Sequence, residues 1–79
     1  MKNIESYNQV FYESFDIEKE QLKGLTYQSV KLWDSIGHMN MIATLEEVFD
    51  IMMETDDIID FSSYEKGIEI LAKNYNVQF

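Results

Sequence analysis

The residues of this chain that could do chemistry crowd into one segment: Asp34, Ser35 and His38, followed by Glu46, Glu47 and Asp50. A serine near a histidine and carboxylates first raises nucleophilic catalysis. That chemistry needs a base within hydrogen-bond reach of the hydroxyl and a third group to orient the base. The only histidine, His38, lies three positions along the same helix and could at most contact the helix cap. No base–nucleophile pair is visible, which disfavours an independent hydrolase. His38 reads instead as a helix residue at the edge of the core. A serine that is the substrate of another enzyme has different needs. It requires exposure, fixed geometry and a docking surface, and no base of its own.

The element that must position Ser35 is a helix running to about Asp50. It starts at the serine, whose hydroxyl can cap it, and no proline interrupts its course. With successive side chains about 100° apart, Met41, Ile42, Leu45, Val48, Phe49 and Met52 fall on one face, which should point into a core. The opposite face carries Ile36 and Met39 beside the serine, with Glu46, Glu47 and Asp50 further along. Apolar residues where a purely structural helix would be polar make this face a candidate partner-binding surface. The free N–H groups and positive dipole end of a helix N-terminus also tolerate a phosphodiester's charge, although the adjacent Asp34 opposes it.

Asp34-Ser35-Ile36, followed at a matching distance by Leu45-Glu46-Glu47-Val48-Phe49-Asp50, resembles the modification site and second helix of acyl carrier proteins. The similarity extends at lower strength over nearly the whole chain. It implies that Ser35 carries 4′-phosphopantetheine, transferred from coenzyme A, whose thiol holds an acyl group as a thioester. It also implies that Asp34 belongs to the motif and helps with the transferase's magnesium site, and that Glu46, Glu47 and Asp50 are acidic recognition positions. The implied partners are a phosphopantetheinyl transferase and acyl-transferring or acyl-processing enzymes with basic docking patches. The acyl chain could fold back between helices, where Met39, Met41, Met52 and Met53 would suit an irregular guest. Gly37 and Asn40 depart from the family pattern, which favours acids at both places, and the proline common after the second helix is missing near Met53-Glu54.

Composition agrees with a carrier or binding module. Seventy-nine residues make one domain, 1–79. Such a chain buries roughly 60% of the surface its unfolded form exposes, leaving little room for a deep catalytic cleft. The formal charge is −9, from fifteen acids against six lysines. Between Lys31 and Lys66 the only basic side chain is His38, while nine acids fall in that interval. Such a surface suits basic protein partners and repels nucleic acid and anionic membranes. Cysteine is absent, so disulfides, thiolate metal sites and cysteine nucleophiles are out. The acids around Thr55 lack the glycine and twelfth-position glutamate of a calcium loop, and no metal site is expected. The first ten residues lack an apolar signal core and no stretch could span a bilayer, so a cytoplasmic monomer is expected, with no membrane insertion.

The remaining elements complete an all-α, four-helix bundle with three longer helices, one short third helix and a long loop between the first and second. Ile4, Tyr7, Phe11 and Phe15 recur at three- and four-residue steps and predict a first helix over 3–15 with this stripe in the core. The connection to Trp33 is broken by Gly24 and should be pinned by Leu22, Leu25, Tyr27, Val30 and Leu32, with a helical turn around Gln21 to Leu25. Trp33 reads as a packing residue beside the serine. Thr55 can cap a short helix over 56–61 whose core contacts are Ile58, Ile59 and Phe61. Ser62 and Glu65 form a capping box for the last helix, with Tyr64, Gly67, Ile68, Leu71 and Tyr75 as its stripe and Gly67 allowing a close approach. Residues 76–79 are either a frayed tail or a final apolar anchor.

Two functional alternatives stand beside the general acyl carrier. One is a specialised carrier loaded with an aminoacyl, hydroxyacyl or other small acid for a dedicated pathway. The other is an acidic helical interaction module in which Ser35 stays unmodified.

Overall fold

The computed structural model describes residues 2–79. Helix α1 spans Asn3–Phe15, α2 Ser35–Phe49, α3 Thr55–Asp60 and α4 Tyr64–Asn74, and a 3-10 turn at Lys19–Gln21 interrupts the long connection between α1 and α2. Among the described residues there is no strand, only a lone antiparallel bridge between Thr26 and Ser63. The molecule is the expected all-α bundle of three longer helices and one short one.

The aromatic stripe of α1 drives the packing. Tyr7, Val10, Phe11 and Phe15 are buried, and Ile4 is partly covered. Burial of a large apolar side chain contributes about 1.5–3 kcal/mol, and such burial holds a domain this small together. The helix ends at Asp16, whose left-handed backbone (φ 53°) turns its N–H onto the Tyr12 carbonyl at 3.0 Å. Aspartate enters that region more readily than most residues.

The connection before α2 is fastened to the bundle along its length. Ile17, Leu22 and Leu25 are buried and Val30 is partly so. Its helical turn lies just ahead of the expected 21–25. Tyr27 N–H donates to the Ser62 carbonyl and Tyr64 N–H to the Leu25 carbonyl, each at 2.9 Å, and Gly24 N–H reaches the Glu65 carboxylate at 3.0 Å. Gly24 sits at φ +77°, where a side chain would be strained. Leu32 and Tyr27 are exposed, contrary to their expected anchoring role.

Three helix starts are shifted by one residue from those the sequence suggests. Asp34, not Ser35, caps α2. Glu54, not Thr55, precedes α3, with Ile58 N–H on the Glu54 carbonyl at 3.0 Å. Ser63, not Ser62, caps α4 by accepting the Lys66 N–H at 2.9 Å. The cause at α4 is the bridge: the Ser62 carbonyl is committed to Tyr27, and Glu65 is drawn to the loop instead of back to the cap.

At Gly67 helix α4 closes on the end of the Tyr7 side chain and on the Phe61 ring. A Cβ at Gly67 would overlap the Tyr7 hydroxyl and the Phe61 ring, so glycine is required there. The Tyr7 hydroxyl donates to the Tyr64 carbonyl at 2.7 Å, and burial, followed by the charges near Tyr64 and Glu65, pushes its pKa well above the ordinary value. Ile70, outside the predicted stripe, is buried beside Leu71. The C-terminus is the apolar anchor: Val77 is buried, its N–H meets the Leu71 carbonyl at 3.1 Å, and Phe79 packs on Tyr7 with ring centres 5.5 Å apart.

Candidate functional site

The start of α2 is a turn closed by its own side chains. Asp34 is extended, and its Oδ1 accepts the Gly37 N–H at 2.8 Å, the bond that defines an N-cap. Ser35 is therefore the first helical residue and not the cap. An aspartate carries two acceptor oxygens and reaches the third helical N–H easily, which frees the serine hydroxyl from structural duty. Ser35 is exposed.

The surroundings of Gly37 explain why a glycine stands there. A Cβ there would overlap the carbonyl oxygen of Leu32 and come within 3.1 Å of its carbon and 3.3 Å of the Asp34 carboxylate. The loop backbone occupies the space that an acidic side chain would need.

Behind the serine, Trp33 is fully buried, stacked on Phe15 with ring centres 4.9 Å apart and edge-on to Phe11 at 5.6 Å. Its indole Nε1–H donates to His38 Nδ1 at 2.9 Å, and His38 Nε2 lies 2.8 Å from the Ile58 carbonyl oxygen. An indole N–H only donates and a carbonyl only accepts, so the partners select the tautomer with the proton on Nε2. Both ring nitrogens are thereby occupied, and His38 has none left to act as a base on Ser35. It is half-buried, as its reading at the core edge anticipated, and its ring bonds to Trp33 and to Ile58 of α3 and not to the Asp34 carboxylate.

The predicted inward face of α2 is correct in its middle and wrong at its end. Met41, Ile42 and Leu45 are buried and Phe49 is partly so, but Val48 is exposed. Met52, 88% exposed, lies in the connection after the helix. The helix stops at Asp50, again left-handed (φ 55°), and Ile51 N–H folds back to the Glu46 carbonyl at 3.0 Å.

The outward face begins with Ile36 at 73% and Met39 at 52% exposure, and continues through exposed Glu47 and Asp50. Glu46 differs from its neighbours. One of its carboxylate oxygens accepts the Met53 N–H at 2.8 Å, so part of its charge serves the connection to α3. Exposed Glu54, Asp56 and Asp60 extend the acidic surface over α3, while Asp57 is held by Asn74 at 2.9 Å and by the Tyr75 hydroxyl. Among the described residues the one ion pair is Lys66–Glu69 at 3.5 Å, so no lysine neutralises the acids of α2 and α3.

The four methionines do not converge. Met41 and Met53 are buried, and Met39 and Met52 face outward. An apolar cleft of about 210 Å³ opens instead between the start of α2 and α3, lined by Tyr27, His38, Ile58, Ile59, Phe61 and Ser62. Ile59, expected in the core, is 71% exposed at its rim. Sequence periodicity could not find this cleft, because it joins three separate segments. A tryptophan five residues ahead of a histidine was the only local hint. Among the described residues no helix is long and apolar enough to cross a membrane.

Comparison with protein-family models, curated proteins and solved structures finds no match to this chain.

Proposed function

We propose that this chain is an acyl carrier protein, with Ser35 as the attachment point of 4′-phosphopantetheine and no catalytic activity of its own. The observation that carries the reading is the division of labour at the start of α2. Asp34 does the capping, and the adjacent Ser35 is left exposed, first in the helix, on a turn closed by side-chain bonds. A hydroxyl so placed fits attachment of the arm, since nothing in the fold depends on it. When bound, the arm supplies a terminal thiol that carries an acyl group as a thioester.

The chain's own residues do three things in this reading. In the transferase's site Ser35 would offer its Oγ to the pantetheine-side phosphorus of coenzyme A, an Oγ–P bond forming as the diphosphate P–O bond breaks, with adenosine 3′,5′-bisphosphate as the leaving group and the proton passing to the transferase. Asp34 holds the turn and leaves its second carboxylate oxygen for the transferase's magnesium. Ile36 and Met39, with Glu47 and Asp50 beyond them, receive partners that carry an apolar contact near the active-site mouth and basic residues around it. Fatty acid or related biosynthesis in the cytoplasm, with the carrier working as a monomer, is the setting this implies.

The apolar first turn favours one variant of the reading. Because the Leu32 backbone fills the place of an acid at Gly37, the surface beside Ser35 is Ile36 and Met39 and not a continuous acidic strip. That supports a specialised carrier for a dedicated small acid. The test is labelling by phosphopantetheinyl transferases with coenzyme A and magnesium. Wild type should take one label and Ser35→Ala none, with helix content unchanged. Labelling of the alanine variant would move the site, and refusal by several transferases would favour the unmodified interaction module.

A further inference from the structure

His38 makes a connection that neither capping nor core packing requires. Three bonds close the segment around Ser35: Trp33 Nε1–H to His38 Nδ1 at 2.9 Å, Gly37 N–H to Asp34 Oδ1 at 2.8 Å, and His38 N–H to the Asp34 carbonyl at 2.8 Å. Ser35 lies inside all three spans. A fourth bond leaves the segment, from His38 Nε2–H to the Ile58 carbonyl at 2.8 Å. Among the described residues it is the sole hydrogen bond between α2 and α3. Trp33 is anchored by Phe15 and Phe11, and the Phe61 ring lies edge-on to the imidazole at 6.1 Å. The imidazole thus bridges a rigid anchor in the loop to a six-residue helix that has no fully buried side chain of its own.

We propose that His38 is a positioning residue for modification of Ser35: its two-sided hydrogen bonding holds the serine turn and α3 in one register, so that a modifying enzyme meets them as a single surface. The inference rests on the reading of Ser35 as an attachment site. Without the bridge the serine turn and α3 move independently, and only a fraction of molecules present the competent arrangement. Apparent affinity for the enzyme falls by that fraction, while the rate from the assembled complex is little changed.

The experiment uses the full chain with coenzyme A and a transferase that labels wild type, alongside amide hydrogen exchange of the unmodified protein. In His38→Ala, KM for the carrier should rise roughly three- to tenfold with kcat within about twofold. Exchange at Gly37, His38 and Ile58 should accelerate by about tenfold or more relative to the α1 and α4 cores. In His38→Gln the side-chain oxygen can take the indole proton and the amide nitrogen can donate to Ile58, so both readouts should return most of the way to wild type. If His38→Ala does not fold, Trp33→Phe, which keeps a ring against Phe15 and removes the Nε1–H donor together with part of the indole's volume, should give the same local pattern. Unchanged kcat/KM, no recovery in His38→Gln, or exchange that rises evenly over all helices would each overturn the proposal. If wild type accepts no label, the attachment reading falls by itself, and the exchange pattern still decides whether His38 couples α2 to α3.

Discussion

Gly37→Ala separates this structure from any account based on helix propensity. Replacing a helical glycine by alanine ordinarily stabilises a helix by about 1 kcal/mol. Here the new methyl would overlap the Leu32 carbonyl oxygen, which is backbone and cannot rotate away, and would approach the Asp34 carboxylate at 3.3 Å. Relief requires the loop to withdraw from the first turn. That movement strains the Asp34 cap, worth about 0.5–2 kcal/mol, and the Trp33–His38 bond, worth about 0.5–1.5 kcal/mol. Overpacking of this kind costs typically about 1–3 kcal/mol. Against the propensity gain of about 1 kcal/mol, the net expectation is a loss of up to about 2 kcal/mol, which for a domain of this length lowers Tm by up to roughly 8–16 °C. Thermal denaturation followed by far-ultraviolet circular dichroism measures it, and the Trp33 indole N–H resonance reports whether the loop has moved. A variant at least as stable as wild type, with that resonance in place, would refute the close approach of Leu32 to Gly37 and the explanation it gives for the missing acid.

Alkaline stability should expose the buried Tyr7 hydroxyl. Its pKa is raised by burial above the ordinary 10.0, so its contribution is intact below pH 10 and is lost as pH rises further, because the unfolded chain releases a proton that the folded chain keeps. Tyr7→Phe should be less stable by about 1 kcal/mol near neutrality, and the gap to wild type should close by about 1.4 kcal/mol per pH unit above 10, read by urea denaturation; a constant gap would refute this. On the outward face, Glu47→Lys should slow association with a transferase and flatten its salt dependence, and Ile36→Ala should weaken the complex by about 1–3 kcal/mol. Modification rates at subsaturating carrier measure both, and two wild-type rates would remove this face as the recognition surface. The unneutralised acids of α2 and α3 should repel one another, so Tm should rise with added salt or millimolar-scale divalent ions, and a flat melting profile would show them too well solvated to interact.

The bundle was legible in the sequence where one helix face meets the core. Ile4, Tyr7, Phe11 and Phe15 marked α1 to its ends, and Met41, Ile42 and Leu45 marked the middle of α2. Legibility failed where tertiary contacts decide. Leu32, Val48, Met52 and Ile59 are apolar but exposed, because each lies at an element's edge or in a connection where periodicity says nothing about direction. The caps slipped by one residue at Asp34-Ser35, Glu54-Thr55 and Ser62-Ser63, where Asp34 and Ser63 cap as readily as their neighbours and Glu54 precedes α3 without a side-chain cap bond. Which of them serves is settled elsewhere in two of the pairs, by Tyr27 holding Ser62 and by the Tyr75 hydroxyl accepting the Glu54 N–H at 2.7 Å. At the candidate site, Ser35 and its apolar and acidic neighbours could be read from order along one helix. The Trp33–His38–Ile58 chain and the cleft beside it could not, since they join a loop, α2 and α3 across 20 residues or more.

The central claim is that Ser35 is left exposed in order to be modified. Intact mass of the protein purified from its native cells, followed by fragmentation to locate any addition, tests it most directly. The expected result is a phosphopantetheinyl group, with or without an attached acid, on the fragment that contains Ser35. A chain that is unmodified at Ser35 in cells with an active transferase, or that carries the group on another residue, would contradict it.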